Sequence, residues 1–486
     1  MKAPANLAAA VLASLLAAGC AKFTGDGGMA PVTEGVRREI GKEVAKHASP
    51  EALRAAHGRV QAMLTEPLSE DTAVQIALLS NRGLQASYND LGISEADYVQ
   101  ATLPANPSLV VSRAFGTAAS GTGSFVGLGL QLVGNLLSLA TLPRKAEIAK
   151  REFEEERYRA IATTLTFAVD VRRAWVRAVA ARQRLALLED VRLSADASAS
   201  LMKQLGETGA VNKLDQGRVA AFYADISAQV GLARLTAQRE RESLTRLLGL
   251  WGSDIEYKLP ATLPKLPVSA RMLTDVEVEA MRRRTDLLIL RYEIETLAKS
   301  VGFVNATRYV SFLELGGVYD NERESGEQAD PGNVTNVNRA GLSLAISIPI
   351  FDTGEARLGA ARETYMRAVN RLAERSINAR SEARAAYATY RGSYDIARYY
   401  QTKILPLRRQ NSAEALLRYN GMLIDVLELL IEERERISAS LAAQDALRDY
   451  LLADADLEAA LIVGGTVPPS GVINTVPPPQ TFPLGI

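Results

Sequence analysis

Hydrophobic and polar positions along the chain follow two different periods, and these periods occur twice in the same order. An amphipathic helical pattern begins in each copy directly after Ser69 or Thr274, two residue types that favour helix N-caps. An alternating segment, a polar loop, a second alternating segment and a long helical region then follow. The pattern predicts an internal duplication at the scale of a domain, with repeats over residues 68–259 and 273–462.

Bulky aliphatic residues alternate with small or polar ones in these segments. Alternation with a period of two is typical of a strand with one apolar face. The connecting loops would be residues 116–124 and 320–338, and Tyr309 and Tyr319 would lie at strand ends as possible interface aromatics. The four predicted strands are residues 108–115, 126–132, 309–319 and 340–350.

The predicted strands have the length of a tilted membrane crossing. Four strands cannot close a barrel, so several chains would have to contribute to one. The same alternation would also occur in a small soluble sheet beneath a helical body. The pattern alone leaves both alternatives open.

Two long helical hairpins are predicted after the strands. The long helices are rich in alanine, which lets neighbouring helices approach closely, and about 60 residues would form about 90 Å of helix. The chain would turn at Gly206-Glu-Thr-Gly209 and at Tyr419-Asn-Gly421, and Pro406 would end the second long helix. The predicted helices are residues 144–205, 211–248, 354–405 and 423–460.

Proline marks two breaks in this pattern. Pro260, Pro264 and Pro267 predict a linker between the repeats, over residues 260–272. Residues 463–486 are rich in proline and predict a disordered tail.

Residues 1–19 have the features of a signal peptide, with Lys2 near the start, an apolar run and a small-residue cleavage site. The segment Leu16-Ala-Ala-Gly-Cys20 resembles a bacterial lipobox, and Cys20 is the single cysteine of the chain. The resemblance implies that Cys20 carries a diacylglycerol and a palmitate, so that residues 20–67 would be a lipidated N-terminal segment. The alternative is an ordinary secretory signal with an incidental cysteine.

Composition argues against a nucleic-acid partner and against catalysis. Lys+Arg and Asp+Glu both total 56, so the chain has no net charge and no sign of a basic binding face. The chain has only two histidines, the usual general bases and metal ligands. Carboxylate runs such as Glu152 to Glu156 are interleaved with arginine, which is typical of a solvated helix face. We predict a non-enzymatic protein with no cofactor apart from the acyl groups.

From about residue 68 to 461, the chain resembles the TolC-type outer-membrane efflux channel family. The most specific match is the strand-to-helix junction Ile348-Pro-Ile-Phe-Asp-Thr-Gly-Glu-Ala-Arg357, with Pro349, Phe351, Asp352 and Gly354. Two further matches are Leu244-Thr-Arg-Leu-Leu-Gly-Leu250 and Arg418-Tyr-Asn-Gly421 followed by Asp425-Val-Leu427. The first copy departs from the pattern at residues 135–144, where we expect Pro143 to make the turn.

The resemblance implies a mainly α fold with a small β part. Duplicated long helical hairpins would form an α-barrel, and four strands from each chain would enter a shared trimeric transmembrane β-barrel. The implied protein is a homotrimer in the cell outer membrane, lipid-anchored and extending into the periplasm. It would conduct substrates passively from an inner-membrane pump of RND or ABC type through a periplasmic membrane-fusion adaptor, with outer-membrane lipid as a further partner and no nucleic acid.

The resemblance also implies roles for the two hairpin turns. Asp425 and Glu428 would be candidates for an acidic gate, although acidic residues are also favoured at any helix start. Arg418 and Tyr419 could pair with the adaptor or simply close the turn. The residues expected at the periplasmic tip and in adaptor docking are Leu205, Gly206, Gly209, Arg418, Tyr419 and Gly421.

Two other functions remain open at this point. A duct of this kind could serve type I protein secretion instead of efflux of small molecules or ions. A lipid-anchored helical spacer without a pore is the other alternative, although a spacer does not need two matching strand hairpins.

Overall fold

The computed structural model describes residues 22–117, 123–310, 312–326 and 334–464. The predicted signal peptide, Cys20 and most of the predicted C-terminal tail lie outside the described residues.

Helices form most of the described chain. Up to the linker they are α1 (Ala30–Ile40), α2 (Pro50–Met63), α3 (Glu70–Ser80), α4 (Arg82–Ala101), α5 (Leu136–Glu207) and α6 (Lys213–Leu248), followed by a short 3-10 helix (Gly252–Ile255). Beyond the linker they are α7 (Val276–Arg283), α8 (Thr285–Thr307), α9 (Glu355–Tyr399), α10 (Leu405–Asn420) and α11 (Val426–Ile462), with a π-helical segment (Tyr400–Ile404) between α9 and α10. The strands are β1 (Ser108–Thr117), β2 (Gly123–Asn135), β3 (Leu313–Gly326) and β4 (Val334–Ile346).

The four strands form one antiparallel sheet in the order β1-β2-β3-β4, so the two hairpins meet where β2 pairs with β3. The strands are longer at the loop ends than the sequence predicts, because β3 continues to Gly326 and β4 begins at Val334. Tyr319 lies within β3, whereas Tyr309 precedes the strand. The prediction that Tyr309 ends a strand is therefore wrong: α8 ends only at Thr307, and Tyr309 lies under the guanidinium of Arg308 at 4.2 Å.

The first long helix begins earlier than predicted. The side chain of Asn135, the last residue of β2, caps α5 by accepting a hydrogen bond from the Ser138 amide at 2.7 Å. Helix α5 then continues through Pro143. The prediction that Pro143 makes the turn is wrong, because the Asn135 cap has already started the helix, and Pro143 is accommodated within α5.

The second long helix does not end at Pro406. The backbone keeps helical torsion angles through the π-helical segment and into α10, and Pro406 lies in the first turn of α10. The wider π turn precedes the proline, which is tolerated at this point because first-turn amides need no intrahelical partner. Helical structure therefore extends from Glu355 to Asn420.

The predicted helix caps have different outcomes. The side chain of Ser69 accepts a hydrogen bond from the Thr72 amide at 3.1 Å, so this N-cap is confirmed. Thr274 does not cap a helix, because α7 begins one residue later than expected, with Asp275 at its N-cap position and no side-chain hydrogen bond there.

Equivalent junctions in the two repeats hold the ends of the return helices. Between α3 and α4, the Ser80 hydroxyl donates to the Leu248 carbonyl at the end of α6, and the Asn81 amide donates to Leu247. Between α7 and α8, Arg284 donates to the Ala460 carbonyl at the end of α11, and the Thr285 hydroxyl donates to the carbonyl of the following residue Val463. The duplication is thus visible in contacts as well as in element order.

The largest hydrophobic core lies at these junctions, where α3, α4, α5, the linker, α9 and α11 meet. Trp175 is buried there, and its indole N–H donates to the Leu68 carbonyl at 2.8 Å. The hydroxyl of buried Tyr88 lies 3.1 Å from the Thr164 hydroxyl. Burial raises the pKa of Tyr88 to about 12, an effect that the hydrogen bond with Thr164 partly offsets, so this phenol stays neutral and bonded at physiological pH.

The linker is bound along its length by tyrosine hydroxyls of α9. The Tyr394 hydroxyl donates to the carbonyls of Pro267 and Val268 at 3.1 and 2.7 Å. The Tyr390 hydroxyl accepts from the Arg271 amide at 2.9 Å. These contacts fix the path of the chain between the repeats.

Gly249, the C-cap of α6, predicts a measurable stability effect. It has a φ of +68°, and a Cβ there would lie 2.9 Å from the backbone of Ser80 and Asn81. Gly249→Ala is therefore expected to lower the free energy of unfolding by at least about 1–2 kcal/mol. The matched control is Gly58→Ala in α2, where a Cβ would meet open space and alanine is expected to stabilise by about 0.5–1 kcal/mol. Chemical denaturation of both variants checks this, and equal effects would contradict it.

Candidate functional site

One face of the sheet carries exposed hydrophobic side chains. The register pairs Leu109 with Leu132 and aligns both with Leu342 across the sheet, so apolar residues of neighbouring strands share this face. Leu342 is 85% exposed in the single chain. We call this surface the apolar sheet face, and its members are Leu109, Val111, Phe115, Val126, Leu128, Leu130, Leu132, Leu315, Tyr319, Leu342, Leu344 and Ile346.

The apolar sheet face is bounded by polar groups toward the loops. The Asn321 amide donates to the Asn338 side chain at 2.6 Å, and the Tyr319 hydroxyl donates to the same oxygen at 3.2 Å. Between Ile346 and Tyr319 the apolar rows span about 20 Å at 3.3 Å per residue. An uncovered apolar patch of this size is rare on a water-facing surface. It argues against the alternative of a sheet packed beneath a helical body.

The opposite face of the sheet is polar and closely packed. A Cβ added to Gly129 would lie 2.5 Å from the Ser112 hydroxyl and 2.8 Å from an Asp320 carboxylate oxygen, so both side chains cover this glycine. On the same face, Arg339 pairs with Glu322 at 3.1 Å. The sheet therefore separates a mainly apolar surface, which also includes Arg113, from a more polar one, which also includes Val110 and Val318.

The strand-to-helix junctions differ between the repeats. In the second, Gly354 has a φ of +75°, and a Cβ there would lie 2.9 Å from the Arg308 backbone. The Asp352 carboxylate accepts from the Gly354 amide at 2.8 Å and so fixes the turn. Pro349 follows the end of β4, and Phe351 is fully exposed. In the first repeat no loop intervenes, because Asn135 both ends β2 and caps α5.

The turn between α5 and α6 contains three of the predicted tip residues. Leu205 and Gly206 lie in the last turn of α5, and the Leu205 carbonyl accepts from Ala210 at 2.9 Å. Gly209 has a φ of +77°, which explains the glycine there. Asn212 caps α6 by accepting from the Asp215 amide at 2.9 Å.

The turn between α10 and α11 contains the other predicted tip residues. Gly421 has a φ of −83°, and Met422 is the residue with positive φ, +58°. Arg418 pairs with Glu414 on its own helix at 3.0 Å, and Tyr419 lies in the last turn of α10.

The two gate candidates, Asp425 and Glu428, are linked at the start of α11. The Asp425 side chain accepts from the Glu428 amide at 2.8 Å, so Asp425 is a helix N-cap in this conformation. Both residues lie within a few residues of exposed Met422 and Leu423. Val219 and Phe222, which follow the first turn, line one groove together with Leu427 and Leu430, which follow the second, so the two turns lie at the same end of the molecule.

Between the two hairpins near this end, helices α5, α6 and α11 line a half-open cavity of about 260 Å³. Phe222 of α6 lines it, and the guanidinium of Arg434 lies over the Phe222 ring at 4.4 Å. On the polar side, the hydrogen bond from Arg436 lowers the pKa of Glu433, and Ser412 adds a second hydrogen bond at 2.9 Å. Because its pKa is lowered, the Glu433 carboxylate is charged at neutral pH. The stability that its hydrogen bonds contribute would be lost as the pH falls below the titration range of an ordinary glutamate.

Nothing in the described residues resembles a metal centre: no group of three or more His, Cys, Asp or Glu side chains there could hold an ion. Among the described helices, none combines the length and apolar character of a membrane span.

Comparison with known proteins identifies the fold. No protein-family model and no curated protein matches the sequence. Among solved structures, a membrane protein from Pseudomonas aeruginosa matches with a TM-score of 0.67 at 21% identity, covering 82% of this chain and 92% of that one. The outer membrane protein VceC from Vibrio cholerae matches with a TM-score of 0.65 at 16% identity, covering 84% and 98%. This chain has the fold of a TolC-type outer-membrane channel.

The open state of the MtrE outer membrane channel of Neisseria gonorrhoeae is also similar, with a TM-score of 0.61 at 19% identity, covering 83% of this chain and 88% of that one. The predicted TolC-type fold class is confirmed by these matches together with the four antiparallel strands. The roles of the tip residues, of the gate candidates and of Cys20 stay predictions.

Proposed function

We propose that the protein is the outer-membrane channel of a tripartite efflux system. It conducts small-molecule or ion substrates passively from an inner-membrane pump of RND or ABC type, through a periplasmic adaptor, to the exterior. The apolar sheet face is the observation that carries the proposal. Twelve large hydrophobic side chains on one side of a four-stranded sheet are stable where lipid covers them.

The assembly we propose is a homotrimer. In one chain the outer edges of β1 and β4 have no strand partner among the described residues, and free edges are incompatible with a lipid environment. The strands alternate in direction, so β1 of one chain can pair with β4 of the next in the same antiparallel manner. Three chains would close a barrel of twelve strands, with the apolar face toward lipid and the polar face toward water.

The helical hairpins extend from this sheet as the periplasmic part of the duct. Helix α5 alone, with 72 residues, is about 110 Å long at 1.5 Å per residue. The adaptor would dock at the turns, with Leu205, Gly206, Gly209, Arg418, Tyr419 and Gly421 as the contact region. Met422 and Leu423 add exposed apolar surface there.

We also propose that Cys20 is acylated and anchors the chain in the outer membrane. Thr24, four residues later, is held in place, because the buried Glu95 carboxylate accepts from both its amide and its hydroxyl at 2.7 Å. Glu95 lies near the end of α4, which leads directly into β1. An acyl group on Cys20 would therefore remain near the membrane end of the helices.

The gate role of Asp425 can be separated from its capping role. Asp425→Asn keeps a capping oxygen and removes the charge, whereas Asp425→Ala removes both and is expected to cost about 1 kcal/mol of helix stability. If Asp425 belongs to an acidic constriction, both variants will change the cation selectivity of single channels in planar bilayers, and Asp425→Asn will do so without changing stability. Unchanged selectivity in Asp425→Asn would leave the residue as a cap only.

Gene deletion tests the function directly. The deletion strain is expected to accumulate a fluorescent efflux dye and to become more sensitive to drugs or metals. The wild-type gene should restore both properties, and a Leu132→Arg gene should not. Unchanged accumulation and sensitivity, together with the loss of one secreted protein from the medium, would instead identify a type I secretion duct.

A further inference from the structure

The apolar surface of the sheet continues past the end of β4. Ile348 and Ile350 follow Leu342, Leu344 and Ile346 with the same period of two, and their side chains are 74% and 72% exposed. A strand of another chain would pair with the backbone edge of β4, so it would leave this face uncovered. The strand rows span about 20 Å, whereas the apolar band of an outer-membrane barrel is about 25 Å tall. The two isoleucines therefore extend the proposed lipid contact into the strand-to-helix junction.

An aromatic ring and a guanidinium group lie at the same junction. Tyr309, between α8 and β3, is 52% exposed, and the guanidinium of Arg308 lies over its ring at 4.2 Å. The backbone of Arg308 packs on Gly354, the N-cap of α9. Arg308 has no ion-pair partner in the part of the chain that the structure describes. Aromatic side chains collect at membrane–water interfaces, where a basic side chain can reach lipid phosphates.

Arg357, in the first turn of α9, has a donor that no described residue satisfies. Its Nε–H is buried and has no hydrogen-bond partner there. The Asp352 carboxylate lies 3.9 Å from this nitrogen, which is too far for a hydrogen bond, and it already accepts from the Gly354 amide. A buried guanidinium donor without an acceptor is costly. We therefore expect an acceptor from outside the chain at this position.

The first repeat places basic residues near the same level. Arg144 and Lys145 of α5 have no ion-pair partner among the described residues. The hydrogen bond from Lys299 of α8 to Glu147 of α5 aligns the two helices. Counted from this bond toward the sheet, Arg144 is about 5 Å and Arg308 about 14 Å away. The basic side chains thus fall in a band about 10 Å deep, which long side chains can span within a layer of lipid headgroups.

We infer that this junction binds the phosphate of an anionic phospholipid in the periplasmic leaflet of the outer membrane, with Arg308 and Arg357 as its ligands. We call these two residues the arginine pair. The inference rests on the proposed membrane channel and adds a lipid site to it. A lipid fits the surface because its acyl chains would lie on Ile348 and Ile350 while its phosphate meets the arginine pair. A guanidinium group can bind phosphate oxygens through two parallel N–H donors.

Titration of the purified full chain with lipid tests the inference. Native mass spectrometry is expected to show binding of phosphatidylglycerol at a concentration about tenfold lower than phosphatidylcholine of the same chain length. Arg308→Gln with Arg357→Gln is expected to remove this preference, because the exposed carboxylates of Asp352 and Glu355 then dominate the turn. The matched control is Arg391→Gln with Arg398→Gln, on the same helix about 50 Å or more from the junction.

A second variant separates charge from donor geometry. Arg308→Lys with Arg357→Lys keeps both charges and loses the forked donors. We expect it to keep a preference for phosphatidylglycerol that is weaker than that of the wild-type protein. This variant also replaces the glutamine variant if the latter fails to insert into membranes. A full wild-type preference in the lysine variant would overturn the assignment of the arginine pair as phosphate ligands.

Flotation of the same samples with lipid vesicles separates this inference from the proposed function. Inserted protein that prefers phosphatidylglycerol through the arginine pair, and keeps the preference in the control variant, supports the site. Inserted protein without a preference, or with equal loss in the control, overturns the lipid site alone. Equally tight binding of inorganic phosphate would also overturn it, since the ligand would then be the free ion. Protein that does not insert overturns both the site and the membrane channel.

Discussion

Replacing Leu132 by arginine is expected to prevent stable assembly in the membrane. Leu132 lies in the middle of the apolar sheet face, aligned with Leu109 and Leu342. An arginine facing lipid near the bilayer midplane costs about 2–4 kcal/mol in a barrel protein. In a trimer each chain bears this cost, so we expect loss of the heat-modifiable oligomer on gels and a lower unfolding midpoint in lipid vesicles.

The matched control for this prediction is the adjacent residue on the same strand. Gln131 pairs with Val318 on the opposite, polar face, where an arginine would meet water. Gln131→Arg should therefore assemble normally and change only ion conductance. Equal loss of assembly in both variants would show that the two faces do not differ in environment, and the orientation of the sheet would have to be abandoned.

Asp286→Ala is expected to give the largest loss of stability outside the sheet. Arg284 is fully buried, and the Asp286 carboxylate, itself 1% exposed, binds it at 2.8 Å. The same carboxylate binds Arg375 at 2.5 Å, and Arg284 also pairs with Glu382 at 2.8 Å. Removing Asp286 leaves a buried cation with one half-exposed charged partner, Glu382, besides the Ala460 carbonyl, and breaking a buried pair in this way typically costs about 3–5 kcal/mol.

Urea or guanidinium denaturation of Asp286→Ala measures this loss. The control is Glu43→Ala, which breaks the pair between Arg59 and Glu43 at 2.9 Å, where both side chains are more than half exposed. Such a pair contributes about 0–1 kcal/mol. If Asp286→Ala lost no more stability than Glu43→Ala, the buried cluster would not stabilise the fold.

The elements with a clear period could be predicted from the sequence. Alternation in β2 and β4 is a local property, so their existence and their apolar face were evident. Their ends depend on the neighbouring strand: β2 continues to Asn135 because it pairs with Glu314 of β3, far away in the sequence. The two predictions that rested on proline, a turn at Pro143 and a helix end at Pro406, were wrong for a similar reason. The geometry near Pro143 is set by the Asn135 cap and that near Pro406 by the π-helical segment, and neither feature has a distinctive sequence period.

The buried ion cluster shows a second limit of sequence reasoning. Arg284 ends a run of three arginines that is typical of a solvated helix end, and nothing local marks it as buried. Its partner Glu382, and Arg375, which pairs with both Asp286 and Glu382, come from α9, about a hundred residues later. The contact between Phe222 and Arg434 was missed likewise, because it joins the two repeats. The tip residues could be located from glycine and asparagine turns, but their roles depend on partners that one chain does not contain.

The mass of the folded protein in detergent, measured by native mass spectrometry, tests the central claim most directly. That claim is that separate copies of this chain join their four-stranded sheets into one closed barrel. We predict a single species with three times the mass of the mature chain. A folded species with the mass of one chain would contradict the account, since a lone sheet with two free edges and an uncovered apolar face could not enclose a pore.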